Sequence, residues 1–286
     1  MTATVPPPSA DRASRPAGPR PSPPPLARIS WARVGLELRL FARDRQQVVF
    51  SFAYPVVMMV VFGSVLGGDD SPGGVPFPQY FLAGIAATGI MLTSFQALAT
   101  SIAVERESGQ LERLQLVGTP PVAYFAGKAG QVLVTTVAQV ALLLPVARYG
   151  YDVPMPADAG RWLTFAWVAV LGALAGTVVG IAASALPGSA ASVGTGVSAV
   201  AVVLQFFSGV FFAFSELPEW MQTVAGLFPL KWMTQGMRSV FLPDEAAAFE
   251  SGGGWDHAGI ALTLAAWAII GVVICARTFR WRQGRE

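Results

Sequence analysis

Few side chains in this 286-residue sequence have the types and spacing that bond-making chemistry needs. A nucleotide loop requires glycines whose amides cradle phosphates, followed by a lysine and a hydroxyl. The one Gly-Lys pair, Gly127-Lys128, is followed by Ala129 and has Val122 where the leading glycine must stand, so ATP binding by this chain is not expected. Metal chelation needs clustered His, Cys, Asp or Glu. A single His257 and a single Cys275 offer no Cys/His cluster, and no metal or cofactor is expected. Nor is there a Gly-x-Ser-x-Gly elbow or a His-Glu-x-x-His helix, and no catalytic residue is assigned. His257, beside Asp256 and Trp255 at the head of an apolar run, reads as an interfacial polar residue. Cys275 reads as a small apolar residue.

The elements that must position these groups are set by hydropathy. With 53% hydrophobic and 13% charged residues and a mean hydropathy of +0.53, the chain has too little polar surface for a water-facing globule. Its apolar residues fall into runs of about 20, the length that crosses a roughly 30 Å hydrocarbon core as a helix. The expected spans are 47–66, 79–104, 124–147, 162–186, 190–214 and 258–276, an all-α integral membrane fold. None contains Asp or Glu, and Lys128, near the start of the third, is the one basic residue within them. Transporters driven by ion gradients generally carry ionisable groups at membrane depth, where each costs about 2.5–3.5 kcal/mol. None stands mid-span here, so the driving energy is expected to come from outside the bilayer.

Residues 1–28 are rich in Pro and Arg, lack an apolar stretch and read as a disordered tail ahead of a membrane domain over 29–286. From Ser30 to Arg45, Trp31, Val34, Leu38 and Phe41 form one helical stripe, with Arg33, Arg39 and Arg43 elsewhere on the wheel and Leu36 and Leu40 interrupting the polar face. This pattern predicts an amphipathic helix lying in the membrane interface with its stripe sunk in lipid. Six spans put both termini on one side. Fifteen of the 19 basic residues fall on that side, including Arg280, Arg282 and Arg285, and four on the other. Both termini are therefore expected in the cytoplasm of a bacterial cell, the chain lying in its inner or plasma membrane. A lipid bilayer, and no nucleic acid, is the expected environment.

In the fourth span Gly172, Gly176, Gly180 and Ser184 recur every four residues, a face that lets another helix approach closely, chiefly within the bundle. Thr93, Ser94, Gln96 and Gln205 are polar positions in spans two and five. They are candidates for a cargo path or an interface, with interhelical hydrogen bonding as the alternative.

After span two the chain reads Glu105-Arg106-Glu107-Ser108-Gly109-Gln110-Leu111-Glu112-Arg113-Leu114-Gln115-Leu116, then Thr119-Pro120. Gly109 can break the membrane helix, and Leu111 and Leu114 with Glu112 and Arg113 suit a short surface helix. Thr119 and Pro120 suit the N-cap and first turn of span three. The string resembles that of ABC-2 type transporter permeases, in which an E-R-E-x-G-x-L-E-x-L segment leads through Thr-Pro to the next span. A second stretch, Leu217-Pro218-Glu219-Trp220-Met221 through Phe228-Pro229-Leu230 to Arg238, is similar to the short helical excursion that the family places outside, between spans five and six.

The resemblance implies a half-transporter: two permease chains pack together, a homodimer or a related heterodimer, above two cytoplasmic ABC ATPases that use the ATP. Glu105, Arg106, Glu107, Gly109, Leu111, Glu112, Arg113 and Leu114 would then form the ATPase-coupling segment, with Leu111 and Leu114 as apolar knobs. Export of an amphipathic or hydrophobic compound, such as a drug, lipid or natural product, is the expected function, as in multidrug or antibiotic-resistance exporters. Export of a polysaccharide or lipid-linked glycan, and a non-transporting membrane scaffold, are the alternatives.

The basic-residue asymmetry yields a topological test. In a Cys275→Ser background, cysteines at Asp69, Asp152 and Glu219 should react with a membrane-impermeant maleimide on intact cells. Protection of all three would invert the orientation.

Overall fold

The computed structural model describes residues 24–278 except 69, 72 and 251. Most of the expected tail, the three arginines at 280, 282 and 285, and the labelling site Asp69 thus lie outside the described residues. A bilayer offers no water to a backbone amide, so a spanning segment must satisfy its hydrogen bonds internally. The chain does so with helices: α1 (Leu26–Arg43), α2 (Arg45–Val65), α3 (Phe77–Met91), α4 (Leu98–Glu107), α5 (Gln110–Leu116), α6 (Pro121–Tyr151), α7 (Ala159–Ser184), α8 (Ala190–Phe207), α9 (Glu219–Gly226), α10 (Pro229–Phe241) and α11 (His257–Thr278). Strands β1 (Asp70–Ser71) and β2 (Val75–Pro76) pair antiparallel, Ser71 opposite Val75. Six helices are long and apolar enough to cross a membrane, and the all-α membrane class read from the sequence is the one found.

The second span, α3 and α4 joined by a π-helical turn at Leu92–Ala97, is the axis of the bundle. Against the other helices it buries 83% of its most apolar stretch, and the remaining spans bury 17–50% of theirs. The small residues of α7 make this packing possible. A Cβ on Gly180 would stand 2.8 Å from the Phe95 carbonyl oxygen and 2.9 Å from that of Ser94, and one on Gly172 would stand 2.6 Å from the Met233 methyl. The glycine face is thus consumed inside the protomer, where close backbone approach recovers dispersion contacts.

Two expectations are corrected. The fifth span stops at Phe207, not Phe214, because Gly209 turns the chain at a φ of +71°. Phe211 then folds back to pack its ring, tilted, against those of Phe62 and Phe81. The excursion after it divides into a largely exposed α9 and a deeply packed α10: of the 13 residues of α10, eleven are buried, among α3, α7 and α11. Finally, α1 begins at Leu26, inside the expected tail, and its apolar stripe is divided, with Trp31 outward, Val34 and Leu38 partly buried and Phe41 buried. Trp31 is 75% exposed, and Arg33, Glu37 and Phe41 face inward against α6. The inward charges have partners there, which hydropathy counting does not see.

Gly180→Ala forces a Cβ onto backbone oxygens that cannot yield, and should lower stability by about 1–3 kcal/mol. Gly196→Ala, on the exposed face inside α8 with nothing within 4 Å of its Cβ, should leave stability unchanged or raise it by up to about 1 kcal/mol, as helix propensity favours Ala. Thermal unfolding of the two variants in detergent checks the contrast.

Candidate functional site

The last turn of α4 holds Glu105, Arg106 and Glu107, and Gly109 at a φ of +73° redirects the chain into α5. That left-handed conformation costs a glycine nothing. The three charges do not extend into solvent together. Each is tied to a different helix.

Glu105 points inward. Its Oε1 accepts from the Lys128 ammonium of α6 and its Oε2 from the Tyr124 hydroxyl at 2.8 Å. Lys128, 1% exposed, also donates to Glu37 Oε2 of α1 at 2.8 Å, and Glu37 Oε1 pairs with Arg33 at 2.6 Å. Ser101 stands 3.4 Å from both the ammonium and Glu105. The Arg33 guanidinium lies 5.2 Å from the Tyr124 ring centroid, a cation–π contact on the same cluster. Two acids and two bases make the cluster neutral, as a buried ionic group must be to survive out of water.

Arg106 donates to the carbonyl of Ser184, whose neighbour Ala185 caps the C-terminus of α7, where a cation meets unsatisfied carbonyls. Glu107 accepts from the Ala190 amide at 3.1 Å, at the N-terminus of α8, where an anion meets free N–H groups. A cleft of about 140 Å³ lies between these two helix ends.

Beyond Gly109 the expected knobs separate. Leu111 is 1% exposed and packs into the chain's own core, so it offers nothing to a partner, and Leu114 is partly buried against that core. Glu112 and Arg113 are exposed, and so are Leu116, at 86%, and Val117, at 77%. The apolar surface of this segment is therefore Leu116 and Val117, one turn later than the sequence suggested. Nor does Thr119 cap α6: Pro120 is its N-cap and Pro121 its first residue. Glu37 and Tyr124 were not singled out from sequence, although a lysine within a span is itself a signal that carboxylates stand nearby.

The four path candidates are stitched into the bundle. Gln96 donates to Ser198 at 2.9 Å, and Gln205 accepts from Tyr54 at 2.6 Å and donates to the Ala201 carbonyl. Thr93 donates to Gln139 at 3.5 Å, and Ser94 to the Ile90 carbonyl at 2.7 Å. Three of the five bonds are interhelical, each worth about 0.6 kcal/mol. None of these residues lines the 140 Å³ cleft or the one of about 450 Å³ between β2, the 154–158 loop and the end of α10.

At the far end of the bundle α10 carries a second buried ion pair. Arg238 is paired with Glu250, donates to the Gly209 carbonyl at 2.9 Å and to the Tyr80 hydroxyl at 3.1 Å. Nearby, Lys231 donates to Gln235 at 2.6 Å and lies 3.8 Å from the Trp232 ring centroid. Burial pushes the Lys231 ammonium down to about 8 from its ordinary value of 10.5, with Arg238 adding to the fall and Glu250 and Asp256 opposing it. Among the described residues no cluster of His, Cys, Asp or Glu is placed to hold a metal ion.

Comparison with known proteins adds a family. The model described as ABC-2 type transporter matches residues 31–242, about three quarters of the chain. The "Probable multidrug ABC transporter permease YbhR" of Escherichia coli K12 is 24% identical over 163 residues, 57% of this chain and 42% of its own. The chain thus spans about two fifths of that relative's length. The "Inner membrane transport permease YadH" of Escherichia coli K12 is 24% identical over 223 residues, 74% of this chain and 81% of its own.

The depressed Lys231 makes a pH-dependent stability testable. Below about 8 the folded chain carries the full cost of a desolvated ammonium. As pH rises from about 8 to 10.5 the folded state releases this proton before the unfolded state does, so stability rises across that window. Lys231→Met should remove that rise and, at pH 7, stabilise the fold by about 1–3 kcal/mol. Thermal unfolding of parent and variant from pH 7 to 10.5 reads the difference.

Proposed function

The chain belongs to the ABC-2 type transporter family and is thus a membrane component of an ABC transporter, and from that premise we propose that it is the permease half of an exporter powered by separate ABC ATPase chains. A second permease chain, identical or related, completes the membrane part. Its place is the bacterial inner membrane, with both termini in the cytoplasm, as the distribution of basic residues favours. Cargo is an amphipathic or hydrophobic compound such as a drug, a lipid or a natural product. The name of the YbhR relative, a probable multidrug permease, supports such a cargo, and the apolar exposed faces of α2 and α8 agree with it.

One observation carries the coupling assignment. Segment α5 ends in an exposed apolar tip, Leu116 and Val117, flanked by exposed Glu112 and Arg113, and its root is tied by Glu105, Arg106 and Glu107 to α6, α7 and α8. A docking contact needs apolar anchors that lose water and charges that set orientation. Motion imposed on the tip has a fixed path into the membrane helices.

The test is co-purification of the tagged chain with its ATPase, identified by mass spectrometry, with ATP hydrolysis measured on the complex and on the chain alone. The chain alone should have no turnover. Leu116→Asp with Val117→Asp should weaken association by at least about thirtyfold, the loss of about 2 kcal/mol at one anchor, and Glu112→Lys with Arg113→Glu should weaken it too. Leu111→Asp should instead destabilise the fold. Wild-type assembly and ATP-driven dye accumulation in inverted vesicles for both exposed-face variants would end the assignment.

A further inference from the structure

The helices at the base of the bundle are joined in two different ways. α4 packs directly on α7 and α8, and α5 hangs from α4. α1 and α6 lie along one another so closely that a Cβ on Gly130 would stand 2.5 Å from a Val34 methyl and one on Gly127 would overlap the Arg33 stem. Such interlocked helices shift as one body. α6 also packs on α7 and on the α3 and π-helical part of the second span, but between α4 itself and α6 there is no comparable packing, and the described link there is polar: Glu105 held by Lys128 and Tyr124.

We propose that Glu105, Lys128 and Glu37 form a relay through which a displacement of α5 reaches the α1–α6 pair. The inference rests on the reading of α5 as the ATPase contact. The Lys128 ammonium serves both bodies, with the Glu105 carboxylate at the end of α4 on one side and the Glu37 carboxylate of α1 on the other. Separation of α4 from α6 would leave a lysine and a carboxylate charged, buried and unpaired. That outcome is unfavourable enough for the two bodies to follow one another instead. Arg33, paired with Glu37 on its own helix, keeps the sum of charges at zero and holds the far carboxylate in place. Lys128 and Glu37 are thus positioning residues that act through Glu105. A carboxylate needed only for solubility at the membrane surface has no reason to be 3% exposed, as Glu37 is.

The test uses the full chain with its ATPase in lipid nanodiscs, in the Cys275→Ser background. One environment-sensitive fluorophore is placed at Gln115→Cys on α5 and, in a second preparation, at Val137→Cys on the exposed face of α6. ATP with orthovanadate is the probe. In the parent both reporters should change emission on trapping. Glu105→Gln with Lys128→Gln removes the link while leaving the Arg33–Glu37 pair and a neutral cluster. It should keep the α5 response and the association with the ATPase, and reduce the α6 response at least fivefold. A purely structural role would lower both reporters together, along with the unfolding temperature. Should the double variant fail to insert, Glu105→Asp, one methylene short of the ammonium, carries the same test with its charge retained. An undiminished α6 response in the variant, or a silent α6 reporter in a parent whose α5 reporter responds, overturns the relay and leaves the docking role of α5 standing. A silent α5 reporter in the parent removes the docking role itself.

Discussion

A lysine ammonium without access to water must find its counter-charges inside the protein, and Lys128 fixes the arrangement of one end of this bundle by that requirement. Its two carboxylates come from opposite sides, Glu37 on α1 and Glu105 on α4, so an N-terminal helix and the end of the second span meet at the third. Breaking one such buried pair typically costs about 3–5 kcal/mol, because a charge is left uncompensated. Arg33 and Glu37 face the bundle and Trp31 faces out.

The opposite end is organised by the same physics with a different outcome. Arg238 and Glu250 form a buried pair within the segment between spans five and six, and the guanidinium also reaches Tyr80 on α3 and the Gly209 carbonyl beyond α8. With its charges satisfied, α10 can sit among α3, α7 and α11 on nearly every side. No exposed apolar tip projects from α10, which ends in buried Val240 and Phe241. The α5 end joins its buried pair to a helix whose last turn is bare. On the proposed reading one end is held and the other is pushed.

Hydropathy runs of about 20 residues made the spans legible, and their number, order and class are as read. The four-residue recurrence of glycine on α7 likewise showed a packing face, because small residues at that spacing have few other uses in a helix. What stayed hidden was long-range pairing. Glu37 lies 91 residues from Lys128, and no local pattern relates them. Lys231 and Arg238 were counted only as outer-side charges, and nothing in the local pattern showed that Gln235 and Glu250 would satisfy them inside the bundle. The π-helical turn at Leu92–Ala97 also has no sequence signature; it is set where Ser94 and Phe95 meet the glycines of α7. In the segment after span two the short helix was legible, and its inward and outward faces were not, since a seven-residue helix is too short for its periodicity to choose between Leu111 and Leu116.

The way polar groups are satisfied bears on where cargo travels. Thr93, Ser94, Gln96 and Gln205 spend their hydrogen bonds inside the protomer, and the two clefts described lie at the helix ends. A polar corridor through a single chain would need such groups free. The Tyr54–Gln205 bond instead ties α2 to α8, and these helices turn Val57, Val60 and Val61 and Val202, Val203 and Phe206 outward. Beside lipid, apolar side chains on this surface need no explanation. On the proposed reading, in which a second permease chain faces the first, the same side chains line a seam that can admit an apolar body without stripping water from a charge. The ionisable groups are then confined to the two ends, where they hold α1, α4 and α6 together at one and α10 in place at the other. A hydrophobic cargo suits such a division, because the middle of the molecule asks nothing of it but shape.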